Sequence, residues 1–215
     1  MSEYESDAMM DADEPERLGP PWEDADQDFF GRAWQTIVGV VSNPVEFFEA
    51  LRREGGIMQP FLFYLLLSWP ALVLGALLQA PFDMMISGGG GETLITVLVL
   101  LFLGPVFLFI GLIIGSGLTH LGLMVFGWAN HPYESTFRVN AYAFGGVAWL
   151  NVIPFCGGMI AGIWGIVLEI IGIARVQGIT TGQAAAAVLI PLAVVIVLMI
   201  CVFAVFFGAI AAMFM

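Results

Sequence analysis

From Ile57 to Met215 the chain alternates long apolar stretches with short polar ones, and its only charges are Asp83, Glu92, Glu134, Arg138, Glu169 and Arg175. A bilayer core takes roughly 20 apolar residues per helical crossing. Only helices or closed barrels satisfy the backbone there. The runs are far longer than the roughly ten-residue alternating strands of a barrel. The pattern therefore predicts an all-α, polytopic membrane protein with five spans. They fall at about 57–80, 94–126, 137–153, 159–174 and 184–207, with Pro70 inside the first and Pro191 in the first turns of the last. The second run exceeds one crossing at about 1.5 Å per residue. A single long helix is preferred to a bend at Gly115–Gly117, because a split leaves His120 in a span of only about ten residues. Pro81, Asp83 and the SGGGGE stretch predict a flexible loop between the first two spans.

The segment before the first span, residues 29–56, mixes aromatics, aliphatics and a few charges. Trp34, Ile37, Val38, Val41 and Val45 follow roughly helical spacing, and Pro44 interrupts it. Ser42 or Asn43 can cap a second short helix holding Val45, Phe47, Phe48 and Leu51. Two placements stay open for this amphipathic segment. It lies in the interface with its aromatic face in lipid, or it packs on the transmembrane bundle.

Composition agrees with a membrane protein, at 60% hydrophobic residues and a mean hydropathy of +0.94. The net charge of −12 is a local property, since eleven of the 18 acids lie between Glu3 and Asp28. Arg17 is the one base among them, and the chain has no lysine. A basic footprint for nucleic acid is absent. The N-terminus has neither the basic start nor the early apolar run of a signal peptide. Residues 1–28 therefore read as a disordered acidic cytoplasmic tail, either simply solvated or a docking segment for a basic partner. Cys156 and Cys201 form no disulfide framework and read as small apolar fillers.

Orientation follows the arginines. Arg32, Arg52 and Arg53 precede the first span, Arg138 falls in the second-to-third loop and Arg175 in the fourth-to-fifth. With five spans these loops share one side, so the N-terminus is predicted cytoplasmic and the C-terminus opposite.

Glu169 is the notable polar residue, because a carboxylate inside a span marks a functional-site hypothesis by default. Gly158, Gly162, Gly165 and Gly172 share one helical face with it, which lets a neighbouring helix approach closely. Glu169 is thus expected to point into the bundle. His120 and Arg138 fall at comparable depth, so the three are expected to form an intramembrane polar cluster. A structural polar cluster, a proton or solute pathway, and snorkelling of Glu169 to the interface all remain open. Gly104, Gly111, Gly115 and Gly122 form a second packing face, and Ala204, Gly208 and Ala211 a third. His120 and His131 lack a cysteine or carboxylate cluster, so no metal site is expected. No nucleophile elbow, zinc-protease, P-loop or dinucleotide fingerprint is present, and the sequence points to no catalytic residue and no cofactor.

Several segments carry a family resemblance. NPVEFFEAL precedes the first span, GWANHPYESTFRVNAYA follows His120, and IPFCGGMIAGIWGIVLEIIGIARVQGITTGQAAAAVLIP covers the last spans. Together they resemble the Yip family, the Ypt/Rab-interacting-protein integral membrane domain, over about residues 34–200. The resemblance implies a five-helix domain at 57–215 with the N-terminus in the cytosol. It also implies a non-enzymatic, partner-recruiting or membrane-organising role. The chain lacks the acidic-Leu-Tyr-Gly-Pro motif of eukaryotic members, and Gln177 stands where many relatives have His. It therefore looks more like a bacterial member of an inner membrane. Expected partners are the lipid bilayer, a cytosolic protein met through residues 1–55, and further copies of the chain. The competing reading is a small-solute or ion transporter or channel using Glu169. It draws on Asn140, Asn151, Pro70, Pro105 and Pro191, but inverted repeats are not evident.

Overall fold

The computed structural model describes residues 19–87 and 91–213. Residues 1–18 of the expected acidic tail and 88–90 of the expected flexible loop lie outside them. The described residues form seven α-helices: α1 (Phe29–Ser42), α2 (Pro44–Glu49), α3 (Met58–Ser87), α4 (Gly91–Val125), α5 (Tyr133–Val147), α6 (Gly157–Gln177) and α7 (Thr181–Met213). Two 3₁₀ turns, Pro21–Glu23 and Ala148–Val152, complete them.

Four of these helices, α3, α4, α6 and α7, are long and apolar enough to cross a membrane. The long second run is a single helix of 35 residues, as its composition predicts. Helix α3 continues through Pro81 to Ser87, beyond the expected end near residue 80. One proline removes one ladder bond, while the apolar surroundings still force every other backbone group to pair. The expected third span differs. Its helix, α5, has 15 residues and is not among the four, because the chain tightens into the 3₁₀ turn after Val147.

Helix α5 is the most enclosed element, and twelve of its fifteen residues are buried. It packs against α1, α3, α4 and α6. Helix α7 closes the bundle against α4 and α6. The outer faces of α3, α4 and α7 carry exposed Leu, Ile, Val and Phe. In water that surface would be unstable, and in a bilayer it is solvated.

Close approach replaces bulk at several crossings. A Cβ on Gly165 would meet Phe144, and one on Gly172 would meet Val139 and Phe48, so these two residues of the expected stripe are packing positions. Gly158 sits at ordinary distance from Asn151, and Gly162 faces open space. In α4 the expected face divides the same way. Gly104 lies under Trp69 and Gly122 under the Ala187 carbonyl, while Gly111 and Gly115 face nothing. The stripe shares one face, but α4 outruns each neighbour, and its middle passes a gap. Gly208 and Ala211 lie outside the described side chains. Gly122→Val would force α4 away from the α7 backbone and from Pro191. A loss of about 1–3 kcal/mol is expected from thermal unfolding in detergent, whereas Gly111→Val should change stability by less than about 0.5 kcal/mol.

Candidate functional site

The last ten residues of the expected disordered tail, 19–28, are ordered against the bundle. Pro20 and Pro21 restrict the backbone, and Pro21–Glu23 form a 3₁₀ turn. Trp22 is buried; its backbone N–H donates to Thr36 Oγ1 at 2.9 Å and its indole N–H to the Gln59 carbonyl at 2.8 Å. The Arg32 guanidinium lies 4.9 Å from the centre of the indole ring. The acids that follow serve as local caps. Asp24 accepts from the Asp26 amide and the Gln27 side chain, which holds its carboxyl below the usual range. Asp28 caps α1 by accepting from the Gly31 amide at 2.8 Å.

Glu23 is the residue that the run of acids concealed. Its Oε1 takes Arg138 Nη2 at 2.6 Å and the Tyr142 hydroxyl at 2.6 Å. Arg138 is fully buried and spends its other donors on backbone: Nε on the Arg52 carbonyl at 2.9 Å and Nη1 on the Gly56 carbonyl at 2.8 Å. Two separate segments, the turn at Glu23 and the loop after α2, thus converge on one guanidinium. Its planar fork suits that task, and a lysine could not repeat it. The segment after α2 is tied to the same end, since the Gly56 amide donates to Glu134 at 2.6 Å.

The expected meeting of Glu169, His120 and Arg138 does not occur. Residues 138 and 140 stand roughly 200° apart around α5. Arg138 and Tyr142 face the N-terminal segment, and Thr136 and Asn140 face the other way, toward α4 and α6. On that second face Glu169 is buried and accepts from Thr119 Oγ1 at 2.6 Å. Asn140 lines the same cavity as the Glu169 carboxylate. At 4% exposure Glu169 points inward and does not snorkel. His120 is nearby in sequence but has a different partner, Thr136 Oγ1 at 3.0 Å, with its ring edge-on to Tyr133.

A third polar knot joins the loops beside His120. The Gln177 side chain is fully buried; it accepts from the His131 amide at 2.9 Å and donates to Ser135 at 3.1 Å. The Gln177 carbonyl accepts from Asn130 at 2.7 Å. Gly178 then ends α6 in the left-handed conformation, at φ 66°.

The described arginines gather at this end of the bundle. Arg32 lies on Trp22, Arg52 offers its carbonyl to Arg138, and Arg175 is 3.3 Å from Glu49. Among the described residues no group of His, Cys, Asp and Glu could hold a metal. The sequence did not single out Glu23 as the partner of Arg138, Tyr142 as a second donor to Glu23, or Trp22 as a buried anchor. The one available signal was a tryptophan and two prolines inside an acidic run.

A family model for the Yip1 domain matches residues 38–213. The matched stretch contains Arg138, Tyr142 and Glu169, while Trp22 and Glu23 precede it. No characterised protein and no solved structure matches the chain.

Proposed function

This chain belongs to the Yip1 domain family, and on that premise we propose a non-catalytic membrane protein that recruits a partner at its cytoplasmic face. The observation that carries the reading is the docked segment at residues 19–28. Trp22 and Glu23 hold the chain against the bundle, so the acidic stretch before it starts from a fixed point. Seven acids between Glu3 and Glu16 would then face a basic surface of a cytosolic protein.

Two features support the placement in the membrane. The arginines cluster at the end where residues 19–56 dock, which favours that end as cytoplasmic. Five crossings follow if α5 and its 3₁₀ turn count as one. Fifteen helical and five 3₁₀ residues reach roughly 32 Å at ordinary rises, against a core of about 30 Å. Contacts along α3 support that span. Arg138 is tied to Gly56 just before α3, and the Asn151 carbonyl lies against Gly75, roughly 26 Å further along it. The C-terminus then lies on the opposite side. Helix α1 keeps Ala33, Thr36 and Val40 inward and presents Phe30, Trp34 and Val38 outward. That outward stripe suits the headgroup region beside the bundle, where tryptophan is favoured.

The test combines topology with capture. Tags at the two ends should be protected on opposite sides of sealed vesicles. The full-length protein should retain a basic cytosolic partner that a variant lacking residues 1–18 releases, with the retention weakening as salt rises. Tags on the same side would overturn the five-crossing arrangement. Equal retention by the shortened variant would overturn the role of the acidic stretch.

A further inference from the structure

Helices α4 and α6 meet through the Thr119–Glu169 hydrogen bond and stand apart beside it. Between them lies a cavity of about 290 Å³, closed on its other sides by α5 and α7. That is far more than the roughly 10–15 Å³ that one water requires. Thr119, Asn140 and Glu169 are its buried polar members, and Leu118, Phe144, Ile166, Val188 and Leu192 supply apolar wall. Gly115 and Leu192 at its edge are exposed on the surface that α4 and α7 turn toward lipid. The opening is therefore lateral, toward the bilayer.

The polar members are incompletely matched. Thr119 hydrogen-bonds the Glu169 carboxylate, and Asn140 lines the cavity beside it. Asn140 is 2% exposed, and its Oδ1 has no hydrogen-bond partner. A buried amide oxygen without a donor is costly, and the cost falls when a donor arrives. No Arg or Lys lines the cavity, so nothing there would neutralise a phosphate. From this geometry we propose that the cavity binds the headgroup of a phosphate-free, hydroxyl-bearing lipid of the diacylglycerol or long-chain alcohol class. The hydroxyl donates to Asn140 Oδ1 once the amide turns to admit it, since that oxygen is closed off at rest, and the chains leave between α4 and α7 into the bilayer.

The glycines allow a test that spares the fold. A Cβ on Gly162 meets nothing within 4 Å, and Gly162 lines the cavity. Gly111 is equally open but lies outside it. The full-length protein would be placed in phosphatidylcholine nanodiscs with a photoreactive diacylglycerol, illuminated, digested and mapped by mass spectrometry. Labelling should fall on α4, α6 and α7 beside the cavity, and a long-chain alcohol should compete. Gly162→Leu should lower the labelling by about tenfold, the effect of losing one well-placed contact, while Gly111→Leu leaves it unchanged. Equal labelling of Gly162→Leu would overturn the site. Equal competition by a triacylglycerol, which has no hydroxyl, would overturn the headgroup assignment. Competition by a long-chain amine about tenfold stronger than by the alcohol would do the same.

Discussion

Arg138→Met is expected to destabilise the folded protein by about 3–5 kcal/mol, the usual cost of removing one partner from a buried ion pair. The reason is what the guanidinium leaves behind. Glu23 would keep only the Tyr142 hydroxyl, and its side chain is 9% exposed, too little for water to replace the lost donor. The Arg52 and Gly56 carbonyls would also lose their donor from this side chain. Chemical or thermal unfolding in detergent would measure the loss, and limited proteolysis should show cleavage near residues 19–28 before the helices open. Glu23→Met alone should be similarly harmful, because it strands a buried cation. The pair Glu23→Met with Arg138→Met should recover part of the loss, since an apolar pair of similar size removes both desolvation costs. A change below about 0.5 kcal/mol for Arg138→Met would mean that the pair is not what holds the segment.

Glu169→Leu is expected to cost about 1–3 kcal/mol by the same unfolding measurement. The buried Thr119 Oγ1 would lose its acceptor, and one stranded group accounts for that cost. Glu169→Gln keeps a carbonyl at the same reach and should cost less than half as much. The comparison isolates hydrogen bonding from side-chain volume. Stability of Glu169→Leu within about 0.5 kcal/mol of the parent would show that the carboxylate is not needed as an acceptor.

The long helices were readable because a run of apolar residues and a bilayer thickness leave few options. Helices α4, α6 and α7 lie where the hydropathy pattern places them, each extended by a few residues. The third expected span is covered by α5 and the 3₁₀ turn together, and apolar length does not reveal that the backbone tightens after Val147. The polar groups show a different gap. Counting residues from helix ends gives depth, and it placed Glu169, His120 and Arg138 at similar levels. It says nothing about angle, and two residues along α5 turn a side chain to the other side of the helix. Arg138 then met Glu23, 115 positions away in the chain. Charge composition could not single out that partner among eleven neighbouring acids. The glycine stripe was half informative. Gly165 and Gly172 mark contact, while Gly162 marks empty space, and the spacing is the same for both.

Helix α5 has consequences for how the protein is made. Arg138 and Asn140 near its start make it a poor candidate for release into lipid on its own, since an arginine part-way into the core carries some of the roughly 2.5–3.5 kcal/mol that it costs at the centre during translocon insertion. Yet in the finished protein both residues are hidden from hydrocarbon by α1, α3, α4 and α6. Its entry is therefore best deferred until α6 has been synthesised, so that the two go in as a hairpin between helices already in place. Ribosome-bound chains that stop before α6 should hold this segment outside the bilayer, and biogenesis would be most vulnerable at that moment.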